Sequence, residues 1–306
     1  MNPDNYSISE FGGKISPDNE TIKITAPAKI NLFLHVLGRR PDGYHNIYSW
    51  FQAIDLADIL TISRRDDSEL ILTTTANNIP TDEKNLIIKA ALALRQKTGL
   101  NSGFDIKLDK NIPVGAGLGG GSSDAAAYIR GINQLLNLNL PRTEMAEIGL
   151  EIGSDVPFFF SCGQAEVTGR GEIVRDIELP LNYTILLVNP GFEVSAGEAY
   201  RKITIDLTSR HPDLNFRCCK HVEHLFEVLS SAINDLEKGV QKSYPSLGKI
   251  RGILEKTGAP IIRLTGSGPT VFALLMNKGR FEEDLIRSKL EKTWGLTITS
   301  PVRLSV

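Results

Sequence analysis

No run of about 18 apolar residues occurs in the chain, so no segment of it reads as a membrane-spanning helix. Residues 1–20 are polar, lack the apolar centre of a secretory signal and read as a flexible leader. An excess of positive charge is missing too: 34 Lys and Arg against 36 Asp and Glu leave a net charge of −2. The basic residues are scattered, which disfavours a nucleic-acid partner. Cysteine is scarce. Cys162, Cys218 and Cys219 give no disulfide framework, and the adjacent pair has no metal-ligand spacing even with His221 and His224 close by. A reducing, cytoplasmic setting follows. Internal repeats and low-complexity tracts are absent. What is present is 306 residues, 41% of them hydrophobic, enough for two globular domains.

The local excess is glycine. Gly115, Gly117, Gly119, Gly120 and Gly121 put five glycines into seven residues. That density would weaken a helix or strand interior, because glycine loses the most conformational freedom on ordering. It suits a loop that takes unusual dihedrals and admits a bulky group close to its N–H groups. An apolar stripe of Ala125, Ala126, Ile129, Ile132 and Leu136 then predicts a helix, with Ser122 or Ser123 as N-cap and Asp124 in the first turn. A glycine loop feeding a helix N-terminus is an anion site, and phosphate is the expected guest. Two further absences narrow the type. No acid follows about 20 residues on, as a dinucleotide fold requires, and no lysine sits among the glycines, as in a Walker loop. A glycine-rich turn without a ligand is the plain alternative.

The string Pro113-Val114-Gly115-Ala116-Gly117-Leu118-Gly119-Gly120-Gly121-Ser122-Ser123 resembles the phosphate loop of the GHMP kinases (galacto-, homoserine, mevalonate and phosphomevalonate kinases and their relatives). The double serine after three glycines is similar to the variant in their diphosphocytidyl-methylerythritol kinase branch. Two more stretches carry the same resemblance. Residues 21–26 and 29–37 read as two strands, and alternation in the second puts Ile30, Leu32, Leu34 and Val36 on one face, Lys29, Asn31, Phe33 and His35 on the other. A solvated edge would explain Lys29 and Asn31. However, Ala26-Pro27-Ala28-Lys29-Ile30-Asn31 is similar to the family's first motif, which implies that both line the acceptor site. Arg40-Pro41-Asp42-Gly43-Tyr44-His45 centres on a turn and resembles the segment distinctive of that branch. The resemblance implies that Tyr44 stacks on a cytosine ring and His45 bonds its edge. Stacking contributes roughly 1–3 kcal/mol whatever the base, so polar groups must supply the choice.

Strands are predicted at 49–54, 58–63, 69–74 and 104–108, and helices over 82–98 and 141–152. Asn85 is a good helix-start residue or, by the resemblance, the residue that meets adenine. Lys110 is a solvated lysine or a cation that helps neutralise a triphosphate. In Gly153-Ser154-Asp155-Val156-Pro157-Phe158 an acid lies between a helix end and an apolar run, which is costly unless it is paired. Asp155 reads as a simple turn residue on its own, but the string is similar to the family's catalytic-acid motif, with Lys29 implied as its partner. A nearby ammonium keeps a carboxylate ionised and can stabilise charge during phosphoryl transfer. A hairpin is predicted over 165–174, where the resemblance puts Thr168 beside the substrate.

Composition shifts near Leu181, and Tyr183–Val188 reads as a buried strand. Ser195-x-x-Glu198 is a capping box opening a helix that carries Tyr200, either a core residue or, by the resemblance, the second wall of the cytosine slot. Residues 202–220 read as a surface excursion. Helices at 222–238, 246–257 and 281–293 and strands at 261–264, 270–274 and 297–305 complete the chain. Thr265-Gly266-Ser267-Gly268-Pro269 is a hairpin turn or, by the resemblance, the family's third motif, with Thr265 at the substrate.

The expected fold is α+β, the two-domain GHMP kinase fold, with a ribosomal S5-like N-terminal domain over 21–180 and a ferredoxin-like C-terminal domain over 181–306. The resemblance implies ATP-dependent phosphorylation of a hydroxyl on a small molecule bearing a cytidine diphosphate group. Lys29 and Asp155 would be catalytic; Asn85, Lys110 and loop 113–123 would hold ATP; Mg would travel with ATP and meet Ser122 or Ser123. Two other readings are a kinase for another small alcohol and a binding module that kept the fold without catalysis. Tyr44 and His45 speak against the first, and Lys29, Asp155 and the full glycine loop against the second.

Overall fold

In the computed structural model, residues 13–203, 214–276 and 283–304 are described. The chain opens with β1 (Lys14–Ile15), β2 (Thr21–Arg39) and β3 (His45–Arg65). β2 and β3 form one long antiparallel hairpin around the Pro41-Asp42-Gly43 turn. At 19 and 21 residues they far exceed an ordinary strand. Each absorbs two of the strands predicted from the sequence, 21–26 with 29–37 and 49–54 with 58–63. Bulges are the reason: register shifts at Pro27/Lys29, Asn31/Phe33 and Val36/Gly38 let the ladder continue past a proline that cannot donate to it.

The first two bulges also change which face looks inward. Ile22, Ile24 and Ala26 pack in one apolar cluster; Ala28, Ile30, Leu32 and Phe33 pack in a second; Leu34 and Val36 return to the first. The simple alternation expected over 29–37 is corrected accordingly. Leu34 shares a cleft with Lys29 and Asn31, and Phe33 turns away from them.

The first half continues with β4 (Leu70–Thr74), α1 (Leu86–Thr98), β5 (Gly103–Asp109), α2 (Gly120–Leu135), α3 (Arg142–Ile152), a 3-10 turn at Val156–Phe160, β6 (Gln164–Thr168) and β7 (Ile173–Asp176). Its sheet runs β1-β2-β3-β5-β4, with β6 pairing β3 and β7. β1 lies within the expected leader, yet Lys14 and Ile15 pair with Lys23 and Ile22. The leader reading therefore fails from Gly13 on, while residues 1–12 lie outside the described residues. α1 begins later than predicted, at Leu86, because Asn85 is its N-cap: Asn85 Oδ1 accepts from Ile87 N at 2.9 Å.

The second half holds β8 (Tyr183–Asn189), α4 (Ala196–Arg201), a 3-10 turn at Phe216–Cys218, α5 (Val222–Ser230), α6 (Glu237–Ser243), α7 (Ser246–Glu255), β9 (Ile261–Leu264), β10 (Val271–Met276), α8 (Glu283–Lys289) and β11 (Gly295–Thr299). Its antiparallel sheet runs β11-β8-β10-β9. Half of the capping box forms: Ser195 Oγ accepts from Glu198 N at 3.1 Å, while the Glu198 carboxylate accepts from Lys202 Nζ and, at 3.0 Å, from Tyr244 Oη.

Three expectations change here. The helix predicted over 222–238 is two helices, because β2 captures the chain between them: Leu34 N donates to Ile233 O at 3.0 Å and Asp235 N donates to Leu34 O at 2.8 Å. The last helix and strand are shorter than predicted, and residues 281–282 and 305 fall outside the described residues. Of the expected surface excursion, 204–213 lie outside them too, but its end is no surface feature. Leu214 and Cys219 are buried, and the Phe216 ring meets Trp50 edge-on. Both apolar clusters draw on both sheets; the second joins Ile30, Leu32 and Trp50 to Tyr183, Ile185 and Phe272. No helix among the described residues is long and apolar enough to cross a membrane.

Candidate active site

The glycine loop interlocks with the second glycine turn. Gly117 and Gly119 take φ of +76° and +72°, a region costly for residues with a Cβ. Neither has room for one. A Cβ on Gly117 would stand 2.4 Å from the Thr265 carbonyl oxygen, and one on Gly119 would stand 3.0 Å from the Lys29 side chain. Thr265 Oγ1 accepts from Asn31 N at 3.0 Å and donates to Gly117 O at 3.3 Å. Ile112, Ala116 and Leu118 are buried, so the loop is rooted in the core and presents backbone outward.

α2 enters through the left-handed Gly119, with no side-chain cap. The expected serine N-cap is thereby corrected, since both serines lie inside the helix. The first helical bond is Ser123 N to Gly119 O at 2.9 Å. The amides of Gly120, Gly121 and Ser122 thus precede the helical ladder, at the positive end of the dipole. Ser122 lines the cleft described below. Ser123 Oγ is buried with no hydrogen-bond partner among the described residues.

Lys29 joins this loop to an acid. Its amide donates to Leu118 O at 2.9 Å. Its Nζ donates to Asn31 Oδ1 at 2.7 Å, lies 3.2 Å from Asp155 Oδ2 and sits 4.5 Å above the centre of the Phe51 ring. A buried ammonium is costly without such partners, and the Lys29 side chain is only 4% exposed, against 34% for Asp155. Asn31 is itself oriented, because its Nδ2 donates to Ser49 Oγ at 3.2 Å, which leaves its oxygen for the lysine. The turn that presents Asp155 is anchored by the buried Phe158, Phe159 and Phe160.

A cleft of about 910 Å³ opens over this pair. Lys29, Asn31, Gly117, Gly119, Ser122, Asp155 and Gly266 line it together with Arg39, Tyr44, His45, Arg170, Tyr200 and Arg201. The expected sandwich of Tyr44 and Tyr200 is not the pairing found. Tyr200 stacks on His45 instead, with centroids 5.1 Å apart and planes at 17°. Tyr44 is 53% exposed and lies against the Arg170 guanidinium, 5.0 Å from its ring centre. Burial, and then the charge of Arg39, holds His45 below the usual imidazole range, so it is neutral at neutral pH with one donor and one acceptor. Burial, then the charge of Asp155, pushes the Tyr200 phenol up.

Four other expected site residues stand differently. Thr265 is fully buried and supports Asn31 and Gly117 without lining the cleft. Thr168 ends β6 paired with Ile173, and Arg170, two residues on, is the side chain that reaches the cleft. Asn85 has its carbonyl occupied by Ile87 N and gives an N–H to Pro80 O at 2.7 Å, so the helix-start alternative is the one displayed.

Lys110 is neither solvated nor a free cation. Its Nζ donates to Asp58 Oδ2 and to Asp124 Oδ2, the latter at 3.0 Å, and all three side chains are buried. Asp58 Oδ1 in turn accepts from Asn111 N at 2.6 Å and Ile112 N at 2.8 Å, which ties down the root of the glycine loop. Asp124 belongs to this cluster rather than to the helix dipole.

Two carboxylates against one ammonium leave a surplus negative charge away from water. Asp124 is pushed up to about 8, by burial first and by Asp58, against the pull of Lys110. Its native form therefore keeps a proton that the unfolded chain, near 3.8, has lost. The resulting stabilisation is full below about pH 4 and is lost as pH rises toward about 8. Asp124→Asn should flatten that decline, whose limit is about 1.4 kcal/mol per pH unit. Denaturant unfolding at several pH values reads the slope; an unaltered slope would mean that Asp124 is ionised throughout.

Asn234 had no place in the sequence-based site. Its Nδ2 donates to Leu264 O and Gly266 O, each at 2.8 Å, and its Oδ1 accepts from Leu236 N at 3.0 Å. It thereby holds Gly266, whose absent Cβ would lie 3.2 Å from Asn31 Oδ1 and 3.7 Å from Lys29 Nζ. The available signal was the Asn234-Asp235 pair in the middle of a predicted helix, where both residues compete with the helical backbone.

The chain matches the profile of the GHMP kinases N terminal domain over residues 85–163 and that of the GHMP kinases C terminal over 220–295. It is 40% identical over 260 residues to the 4-diphosphocytidyl-2-C-methyl-D-erythritol kinase of Brevibacillus brevis, covering 85% of this chain and 89% of that protein. To that of Bacillus pumilus it is 41% identical over 259 residues, covering 84% and 89%. A crystal structure of 4-(cytidine 5'-diphospho)-2C-methyl-D-erythritol kinase superposes with a TM-score of 0.71 at 30% identity, over 91% of this chain and 99% of that one. Homoserine kinase from Cytophaga hutchinsonii, at a TM-score of 0.72 and 18% identity over 95% and 98% of the two chains, shares the fold. With both halves matched, a glycine loop opening α2 and relatives this similar over most of their length, the chain belongs to the GHMP family of small-molecule kinases, on its 4-diphosphocytidyl-2-C-methyl-D-erythritol kinase branch.

Proposed function

We propose that the enzyme transfers the terminal phosphoryl group of ATP to a hydroxyl of 4-diphosphocytidyl-2-C-methyl-D-erythritol, giving the 2-phosphate and ADP, in the non-mevalonate route to isoprenoid precursors. One observation carries the reading. The Lys29–Asp155 pair and the ring cluster of Tyr44, His45 and Tyr200 line the same cleft. An acid can thus face an acceptor hydroxyl while rings and a neutral imidazole face a base. The names of the relatives support the same acceptor.

The free amides of Gly120 to Ser122, the absence of Cβ atoms at Gly117 and Gly119, and the hydroxyls of Ser122 and Ser123 suit a triphosphate carrying Mg; these residues would hold it. ATP supplies the phosphoryl group, and Mg bound with it would screen its charge. Asp155 accepts the hydrogen bond of the acceptor hydroxyl and takes its proton as the oxygen–phosphorus bond forms and the bond to ADP breaks. Lys29 holds Asp155 in place, Asn31 fixes Lys29, and the ammonium together with the loop amides meets the charge that develops. Lys110 is already engaged by Asp58 and Asp124 at the root of the loop.

The deciding assay is ADP release with Mg-ATP and four acceptors in parallel: the cytidyl-methylerythritol diphosphate, mevalonate, homoserine and galactose. Turnover with the cytidyl compound alone is expected. Turnover with another alcohol would discard the base contacts, and silence with all four in protein that binds ATP would favour a non-catalytic role.

A further inference from the structure

We infer that Arg39, Arg170 and Arg201 form a subsite for the diphosphate of a nucleoside diphosphate acceptor, so that acceptors are selected by their phosphates as well as by their base. This rests on the cytidine diphosphate acceptor proposed above. The residues lining the cleft include four cations, Lys29 and the three arginines, but a single carboxylate, Asp155. In a chain of net charge −2 that is a local concentration of positive charge. Lys29 is matched by Asp155. None of the three arginines forms an ion pair with a described residue. Arg40 is the contrast: it neighbours Arg39 in sequence, pairs with Asp42 and Glu172, and does not line the cleft.

The arginines also share a location. Arg39 is paired across the hairpin with His45, Arg170 lies over the Tyr44 ring, and Arg201 follows Tyr200 in α4. Each is one residue or one ring from the group that would hold a base. Guanidinium groups bind phosphate oxygens through two parallel N–H bonds, and such charge-assisted bonds are about twice as strong as neutral ones. Asp42 and Glu198 feel the charges of Arg170 and Arg201 without coming within ion-pair distance, and concentrated guanidiniums without a close ion pair, beside a ring cluster, fit a ligand whose phosphates are joined directly to a nucleoside.

The test separates phosphate from base. Cytidine and CDP are titrated calorimetrically, without ATP, into wild-type protein, Arg39→Gln, Arg170→Gln, Arg201→Gln and the triple variant, and KM is measured for the acceptor and for ATP. In the triple variant CDP affinity should fall by about a hundredfold or more, at about tenfold for each effective guanidinium. Cytidine affinity should change by less than about threefold. KM for the acceptor should rise with the loss of CDP, KM for ATP should not follow it, and Arg170→Lys should recover part of the Arg170→Gln loss. Equal losses for cytidine and CDP, or a rise confined to KM for ATP, would overturn the clamp. If wild-type enzyme turns over the cytidyl acceptor and the triple variant keeps its CDP-to-cytidine ratio, only the clamp falls. If wild-type protein binds neither compound and phosphorylates a different alcohol, the acceptor reading falls and the clamp with it.

Discussion

Asp155→Asn should lower turnover by about a thousandfold, within the span that a positioned proton acceptor contributes, while ATP binding stays measurable. The amide has the shape of the carboxylate, so the 3-10 turn anchored by Phe158 to Phe160 has no reason to move. What disappears is the charge facing the acceptor and the only carboxylate within ion-pair distance of Lys29 among the described residues. Lys29 would retain Asn31 Oδ1 and the Phe51 ring, and so stay in place. The nucleotide would be held by amides of the loop and of the start of α2, none of which involves Asp155. Single-turnover phosphoryl transfer, measured beside nucleotide binding, separates the two effects. Turnover at the wild-type rate would remove Asp155 from the mechanism.

Gly117→Ala should also be damaging, about a hundredfold, from a position that does no chemistry. The added methyl would stand 2.4 Å from the Thr265 carbonyl oxygen and 2.9 Å from that of Gly268, both backbone atoms, on a residue with φ of +76°. Relief by shifting the loop is blocked on one side by the buried Leu118 and on the other by the bond from Lys29 N to Leu118 O. Relief by shifting the turn would pull Thr265 Oγ1 away from Asn31 N and Gly266 away from the Asn234 amide. A displacement of about 1 Å in either case is worth about a hundredfold in kcat/KM. Gly258→Ala is the control, since Gly258 has φ of +72° but nothing within 4 Å of a new Cβ. It carries backbone strain without the clash and should keep far more activity. Equal behaviour of the two variants would show that strain, not the interlock with Thr265, governs the loop.

The motifs that were legible in the sequence are short and local. The glycine loop, the helix after it, the Lys29 and Asn31 stretch and the Asp155 turn each carry their meaning within a dozen residues, and the structure brings all of them to one cleft. What stayed hidden depends on partners distant in sequence. Two-residue alternation along 29–37 cannot reveal a bulge, because the extra residue is defined by the register of the opposing strand; hence Leu34 and Phe33 exchanged faces. Lys110 read as a free cation because Asp58 lies 52 positions away. Ser122 and Ser123 looked like caps by residue type, whereas the left-handed Gly119 had already turned the chain into the helix. Tyr44 was matched with Tyr200 because both are rings in the right motifs, and only the structure could show that His45 is the ring facing Tyr200.

The double attachment of Lys29 bears on how the two substrates meet. Its amide is bonded to the glycine loop at Leu118, while its ammonium is bonded to Asn31 and paired with Asp155. A nucleotide that draws the loop into one position therefore draws the acid with it, across a single residue. Binding at the loop would then be linked to binding at the acid. Because such linkage is reciprocal, the affinity that an acceptor gains from bound nucleotide must equal the affinity that the nucleotide gains from bound acceptor. Titrating each substrate in the presence of the other should therefore show mutual tightening, and Lys29 is the residue whose bonds reach both the loop and the acid.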